Sequence, residues 1–402
     1  MSKLNLMQLV EQLQNQQLQK RDMVVPSSCL RFHNGHLIIS NVSKHPEMDA
    51  LLHNTGVATT EAGLTSLTLK PLDAFHKQIC SRFEIPAVYY NRMNTDDNIV
   101  CLDDNVNHWL MQSKKSYLVR CFAPTEEGQI GVARTLLGDR YRILDNLDVL
   151  MTALDAIRQT GVDLKVESAD ITESKMYVRF IAPSVIQDSP TLLSRYRVPS
   201  NNAPNGDSGI MAGFVLTNSE VGFGSSYVAP RLVVSACKNG MIMKQDAMSK
   251  VHLGGKMEEG HIQWSEETKQ KNIELIIMQI KDAVATYTSN DYLGKAIEML
   301  ETNGQKKLEN PIDTITNVST DLSFSEDKTK KLMQYFMESA DYTGFGVAQA
   351  VTYFAHQDAD ADTQFEMEAV AVEIVNNIEK YDQPIVVKTP KKRVSNKGFS
   401  KN

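Results

Sequence analysis

A chain of 402 residues can bury a sizeable core and is long enough for about two or three domains. Its 42% hydrophobic and 23% charged residues are those of an ordinary globular protein, and no apolar run approaches the ~18 residues that argue for a membrane span. The formal net charge is −7, yet Lys388 to Asn402 carries +6 with no acid, so the rest holds −13, a poor nonspecific ligand for nucleic acid.

Five cysteines (Cys29, Cys80, Cys101, Cys121, Cys237) form no Cys-x-x-Cys pair. Their odd, scattered number points to a reducing compartment rather than a disulfide framework or zinc site. The N-terminus is polar and rich in Gln, without the apolar core of a signal peptide, so a cytoplasmic location is expected.

In chain order, Leu4, Leu6, Leu9, Val10 and Leu13 approximate helical spacing, and that helix is predicted to end near Arg21–Asp22. Val24-Val25-Pro26 opens an extended stretch. Leu72 to Phe83 reads as a helix, and Pro86 suits the first turn of a second, short one carrying Tyr89 and Tyr90. Asn105 to Leu110 reads as another helical end.

From about 115 to 260 the chain is strand-rich. Tyr117, Val119 and Cys121 alternate with Leu118, Arg120 and Phe122, and Met176 to Ile181 repeats the pattern with Tyr177, Arg179 and Ile181 on one face. Leu147 to Thr160 fits a helix between these strands. Gly209 to Leu216 and Pro230 to Ala236 are further strand candidates. Asn201 to Ser208 is loop chemistry.

Beyond Ser265, a good N-cap, Ile273, Ile276, Ile277, Ile280 and Val284 form a helical stripe. Leu332 and Phe336 begin another helix. A last one follows Asp358-Ala-Asp-Ala-Asp362. The expected class is α+β: a mixed, mainly antiparallel sheet region followed by a helical region. The expected divisions are an N-terminal α/β segment (1–112), a strand-rich core domain (113–262), a helical region (263–384) and a basic disordered tail (385–402).

The motif search is mostly negative. No P-loop and no Gly-x-Ser-x-Gly elbow occurs, and Gly222-Phe-Gly224 and Gly344-Phe-Gly346 each lack the third glycine of a dinucleotide loop. No cofactor and no metal is expected. Asp358, Asp360 and Asp362 evoke a calcium loop, but Thr363 replaces its glycine and no glutamate closes it, so an acidic helix N-terminus is the better reading.

Four clusters remain open to two readings each. Gly138-Asp139-Arg140-Tyr141-Arg142, with Asp145 and Asn146, can grip phosphate through its arginines and stack a base on Tyr141. Alternatively Arg140 pairs internally with Asp145 or Asp139. Asn218-Ser219-Glu220 presents an amide, a hydroxyl and a carboxylate, or forms a structural turn. Asn239-Gly240 signals a hairpin, with Cys237 a buried residue ending a strand; a Cys237–His252 pair rests on residue type alone. Arg120, Arg134 and Arg179, on strands beside Tyr117 and Tyr177, form a single-strand platform or pair with the surplus carboxylates.

The ordered series Leu137-Gly-Asp139-Arg-Tyr141, Asn218-Ser219-Glu220, Cys237-Lys-Asn239-Gly240-Met241 and Val251-His252-Leu-Gly254 resembles a family of phage- and plasmid-encoded proteins, domain of unknown function 932. Gly138, Lys238 and Val251 depart from its Ser, Thr and Arg. The stretches Asp22 to Pro26, Ile85 to Tyr90 and Asn105 to Trp109 also look like its longer members, so the resemblance runs from about residue 20 to about 360.

The resemblance implies a mobile-element accessory protein and carries no settled catalytic residue. The leading expectation is a noncatalytic protein associated with single-stranded DNA, of the annealing or recombination type, forming rings or filaments. Its candidate contacts are Arg120, Arg134, Arg140, Tyr141, Arg142 and Arg179, with Lys391, Lys392 and Arg393 of the basic tail. The alternatives are a protein-binding host-defence antagonist or structural homo-oligomer, and a metal-dependent hydrolase or nuclease using Asp139, Asp145, Glu220 and His252.

Overall fold

The computed structural model describes residues 4–40, 66–123, 130–139, 141, 143–199, 208–250 and 266–385. Among them the chain forms thirteen α-helices and twelve strands in two six-stranded sheets, an α+β protein with its sheets in the N-terminal half and helices at the C-terminal end. Arg140, Arg142, His252, Ser265 and the basic tail with Lys391, Lys392 and Arg393 lie outside the described residues, as does most of the Asn201–Ser208 loop.

The first helix, α1 (Leu6–Gln19), starts at a capping box in which Asn5 and Gln8 satisfy each other's backbone N–H groups. It stops before Arg21–Asp22, because Lys20–Pro26 is strand β1, paired with β5 (Ser116–Phe122) so that Asp22 faces Arg120. Strands β2 (Leu30–His33) and β3 (His36–Ser40) form a hairpin through Asn34 and Gly35, both at positive φ (50° and 73°), the conformation this dipeptide favours. With β4 (Ser66–Pro71) and β6 (Gly131–Gly138) they complete the order β1-β5-β6-β4-β3-β2, in which β4 and β6 run parallel and every other pair antiparallel.

Helices α2 (Asp73–Arg82), α3 (Ala87–Met93) and α4 (Ile99–Gln112) cover one face of this sheet around Phe32, Ile39, Leu69, Phe75, Ile79, Tyr90, Val106 and Val119. Pro86 sits at the N-cap of α3 rather than inside its first turn. The expected division at residue 112 runs through this unit, since β5 and β6 follow it and still belong to the first sheet.

The second sheet is antiparallel throughout: β7 (Lys165–Ile171), β8 (Met176–Asp188), β9 (Gly209–Asn218) and β10 (Ser226–Val234) in sequence, with β11 (Gly240–Ile242) and β12 (Met248–Lys250) both on the outer edge of β10. One face packs on α1, α5 (Asn146–Thr160) and α7 (Glu266–Tyr287) through Leu9, Leu13, Leu150, Phe180, Phe214 and Val284. The other carries the short α6 (Pro190–Leu193) and the C-terminal helices α8 (Asn290–Gly304), α9 (Pro311–Asp321), α10 (Glu326–Ser339), α11 (Gly344–Asp358), α12 (Ala361–Asn376) and α13 (Ile378–Tyr381). Within α11 every residue from Gly344 to Ala355 is buried, so the helix lies at the centre of its layer and needs no polar face.

Two turns differ from expectation. Asn239-Gly240 does not make the β10–β11 turn; Lys238 takes the left-handed conformation (φ 57°), and Asn239 already accepts the Val234 N–H at its carbonyl. Cys237 lies in that turn, half-buried, beyond the end of β10. The acidic run before the last long helix is a helix start: Asp360 is the N-cap of α12 and accepts the Thr363 N–H at 2.9 Å.

Candidate functional site

The two sheets meet where the turn after β9 enters the face of the first sheet opposite its helices. That turn is Ser219-Glu220-Val221-Gly222, and Gly222 suits it twice over: its φ is 80°, and a Cβ there would stand 2.6 Å from Leu137. The Val221 carbonyl accepts the Thr135 hydroxyl at 3.1 Å, which stitches the turn to β6.

Glu220 is 2% exposed and carries three close donors. Its Oε2 accepts Arg134 Nη1 at 2.7 Å; its Oε1 accepts Lys20 Nζ at 2.9 Å and the Asn146 backbone N–H at 2.7 Å. Burial opposes its charge, but Arg134, Lys20 and the Asn146 N–H outweigh that and hold the carboxyl at about 2.

Arg120 is fully buried beside it. Its Nε and Nη2 grip both oxygens of Asp22 at 2.8 and 2.9 Å, Nη2 also donates to Asp145 at 2.7 Å, and Nη1 donates to the Glu220 carbonyl at 2.8 Å. Burial again opposes the charge, and Asp22 and Asp145 raise its pKa above the ordinary value. Lys20 also reaches Asp145 at 3.1 Å. Three cations (Lys20, Arg120, Arg134) thus balance three carboxylates (Asp22, Asp145, Glu220).

The remaining motif residues surround this core. Asn218 is buried and donates to the Leu144 carbonyl at 3.0 Å and to Asn146 Oδ1 at 2.9 Å, fixing the start of α5. Ser219 donates its hydroxyl to the Ser174 carbonyl at 2.7 Å, and Phe223 N–H donates to that hydroxyl at 3.0 Å. Half-buried Tyr141 donates to the Ser219 carbonyl at 3.3 Å, with burial pushing its phenol up to about 12. Asp139 is exposed on the rim.

A second buried ionic network lies on the other side of the second sheet. Arg231 grips both carboxylate oxygens of Glu368 on α12 at 3.0 Å each, and also pairs with Glu167, which a register shift in β7 turns inward. Arg179 donates to Asp170 at 2.9 Å and lies 3.6 Å from Glu368. Burial works against the Glu368 charge, and Arg231 and Arg179 lower its pKa nonetheless. Gly240 closes this site by absence of a side chain: a Cβ there would lie 2.1 Å from Arg231 Nε. Asn239, next to it, is buried and its amide donates to Tyr196 and Gln349.

The structure therefore gathers Asp145, Asn146, Asn218, Ser219 and Glu220 into one place, and Asn239 and Gly240 into another. It does not offer Arg120, Arg134 or Arg179 as a single-strand platform. Arg120 and Arg179 are 0% exposed and Arg134 is 7% exposed, and all three are held by carboxylates. The alternative reading, pairing with surplus acids, describes them. Asp145 is paired with Arg120 and Lys20, partners the sequence reading had not named.

For catalysis the arrangement has little to offer. A carboxyl held at about 2 is a weak base at neutral pH. Burial pushes the Cys237 thiol up to about 11, the opposite of an activated nucleophile. Among the described residues, no group of three or more His, Cys, Asp or Glu side chains is placed to hold a metal ion. No helix among them is long and apolar enough to cross a membrane.

Lys20, Glu167, Arg231 and Glu368 were not singled out as site residues from the sequence. Arg231 had a signal: an arginine inside an apolar strand run needs a buried partner. No family model, curated protein or solved structure matches the chain.

Proposed function

We propose that this chain is a noncatalytic binding protein of mobile-element type, a member of the domain of unknown function 932 family, that acts in the host cytoplasm through a protein partner or further copies of itself. The observation that carries the reading is the closed, charge-balanced network at Glu220. Of the motif residues, Asp145 and Glu220 spend their charges on Lys20, Arg120 and Arg134 where the two sheets meet, which leaves the outer surface to do the binding. Support on that surface comes from the first sheet's helix layer, where Val88 (86% exposed), Val100 (66%) and Met111 (76%) stand out with Tyr89 and Trp109.

Mass photometry over a protein dilution series tests this. The expected result is a concentration-dependent species of higher mass that Trp109→Glu shifts toward the monomer. A chain that stays monomeric at every concentration, with salt-sensitive binding to single-stranded DNA, overturns it.

The second reading, association with single-stranded DNA, keeps one specific support, the +6 stretch from Lys388 with Lys391, Lys392 and Arg393. It predicts anisotropy changes on labelled single strands at low salt that vanish on deleting residues 388–402. The metal-dependent hydrolase reading has no such support, since Asp145 and Glu220 are taken up by cations.

A further inference from the structure

The C-terminal helices meet the β7–β8 hairpin and the signature turn around a cavity of about 420 Å³, within the size range of small-molecule sites. Its floor is apolar: Phe223 from the turn, Leu322 and Phe324 between α9 and α10, Met367 and Val370 on α12. Lys175 stands on the rim, its stem resting on Gly224, where a Cβ would lie 3.3 Å from Lys175 Cε.

The charges around this cavity are unequal. Glu366 on the rim is neutralised by Lys244 at 2.7 Å. Asp362 accepts the Tyr177 hydroxyl at 2.5 Å and the Thr172 hydroxyl at 3.5 Å. Among the described residues Lys175 has no carboxylate partner. Neither does Lys328, whose ammonium lies 5.7 Å from the centre of the Phe324 ring. Of the lining groups, Asp362 is engaged by two hydroxyls and Glu366 by Lys244, so the Lys175 ammonium over an aromatic floor is the charge left to meet an anion with an apolar body.

We propose that this cavity binds a small amphipathic organic anion. Its aromatic or aliphatic body rests on Phe223, Phe324 and Met367, and its carboxylate, sulfonate or phosphate accepts a charge-assisted hydrogen bond from Lys175. Apolar burial supplies the drive and the ammonium sets orientation and charge preference. The site is independent of the partner-binding reading.

The full chain is titrated with the fluorescent probe 8-anilinonaphthalene-1-sulfonate, an aromatic sulfonate, and with its uncharged relative N-phenyl-1-naphthylamine. The expected result is saturable binding of about one sulfonate per chain, weakened about ten-fold or more by Lys175→Glu and by Val370→Trp, which fills the floor. Lys175→Gln, which removes only the charge, weakens it in the same direction, and Lys295→Glu on α8 leaves it unchanged. The uncharged probe binds about ten-fold more weakly than the sulfonate. Nonsaturable binding overturns the proposal. So does affinity unchanged in natively folded Lys175→Gln and Val370→Trp, or equal affinity for the two probes.

Discussion

Glu220 shows how much one buried carboxylate can carry. With its folded pKa lowered from 4.5 to about 2, it stabilises the fold above pH 4.5, and this stabilisation is lost as pH falls toward 2. That shift corresponds to on the order of 3 kcal/mol. Glu220→Gln is expected to lose a similar amount in urea titrations at neutral pH and to flatten the acid limb of the stability curve, because Arg134 is left buried without its carboxylate and Lys20 keeps only Asp145. Two glycines give a second prediction. Gly240→Ala drives a methyl into the Arg231 guanidinium and should cost several kcal/mol; Gly161→Ala, at φ 71° with nothing within 4 Å, should cost only the left-handed backbone strain of about 1–2 kcal/mol. Equal shifts in Tm for the two would refute that contrast. The need for Gly240 was not legible in the sequence: Asn-Gly reads as a turn, whereas here the glycine makes room for a side chain nine residues earlier. At Asn34-Gly35 the same dipeptide does make the turn, and there the signal was available.

Among elements, α12 is held to the second sheet by Glu368, whose two oxygens face Arg231. Glu368→Ala leaves two arginines buried beside an empty site, and about 3–5 kcal/mol of stability should go with it. Asp360→Ala removes the N-cap of the same helix and should cost only about 1 kcal/mol. Because Asp360 serves as a cap, added calcium should leave Tm unchanged; a saturable rise would revive the calcium-loop reading. The helices with an apolar stripe or a clear start were legible: α2, α3, α5 and α12 lie within a few residues of their expected places, whereas α10, expected to begin at Leu332, begins at Glu326. Strands β2, β3 and β4 were missed because they are four to six residues long and weakly patterned. Helix α11 was missed for the opposite reason, being apolar on every side and so without a period. The alternation in β5 was legible, but its polar member pointed to solvent in one reading. In the structure both faces of that strand are covered, one by α2–α4 and the other by the β9 turn.

Among the described residues the molecule is two sheets, each with its helices, and Asp145, Asn146, Asn218, Ser219 and Glu220 lie at their junction. Chain order had suggested a break at residue 112, but β1 and β5, far apart in sequence, pair in one sheet and bring Asp22 to Arg120. No local pattern announces a pairing of that range, which is why the motif residues were recognisable while their common destination was not. At this scale the central claim is that Glu220 and its cations join the sheets rather than greeting a ligand. A double-mutant cycle between Arg134 and Glu220, read by urea unfolding of the wild type, Arg134→Met, Glu220→Gln and the double variant, tests it most directly. The account predicts that each single change costs about 3 kcal/mol and that the pair is coupled by about 2 kcal/mol, so the double variant loses much less than the sum. Additive losses within about 0.5 kcal/mol would mean the two side chains are not partners and would return both to the list of groups free to hold a ligand.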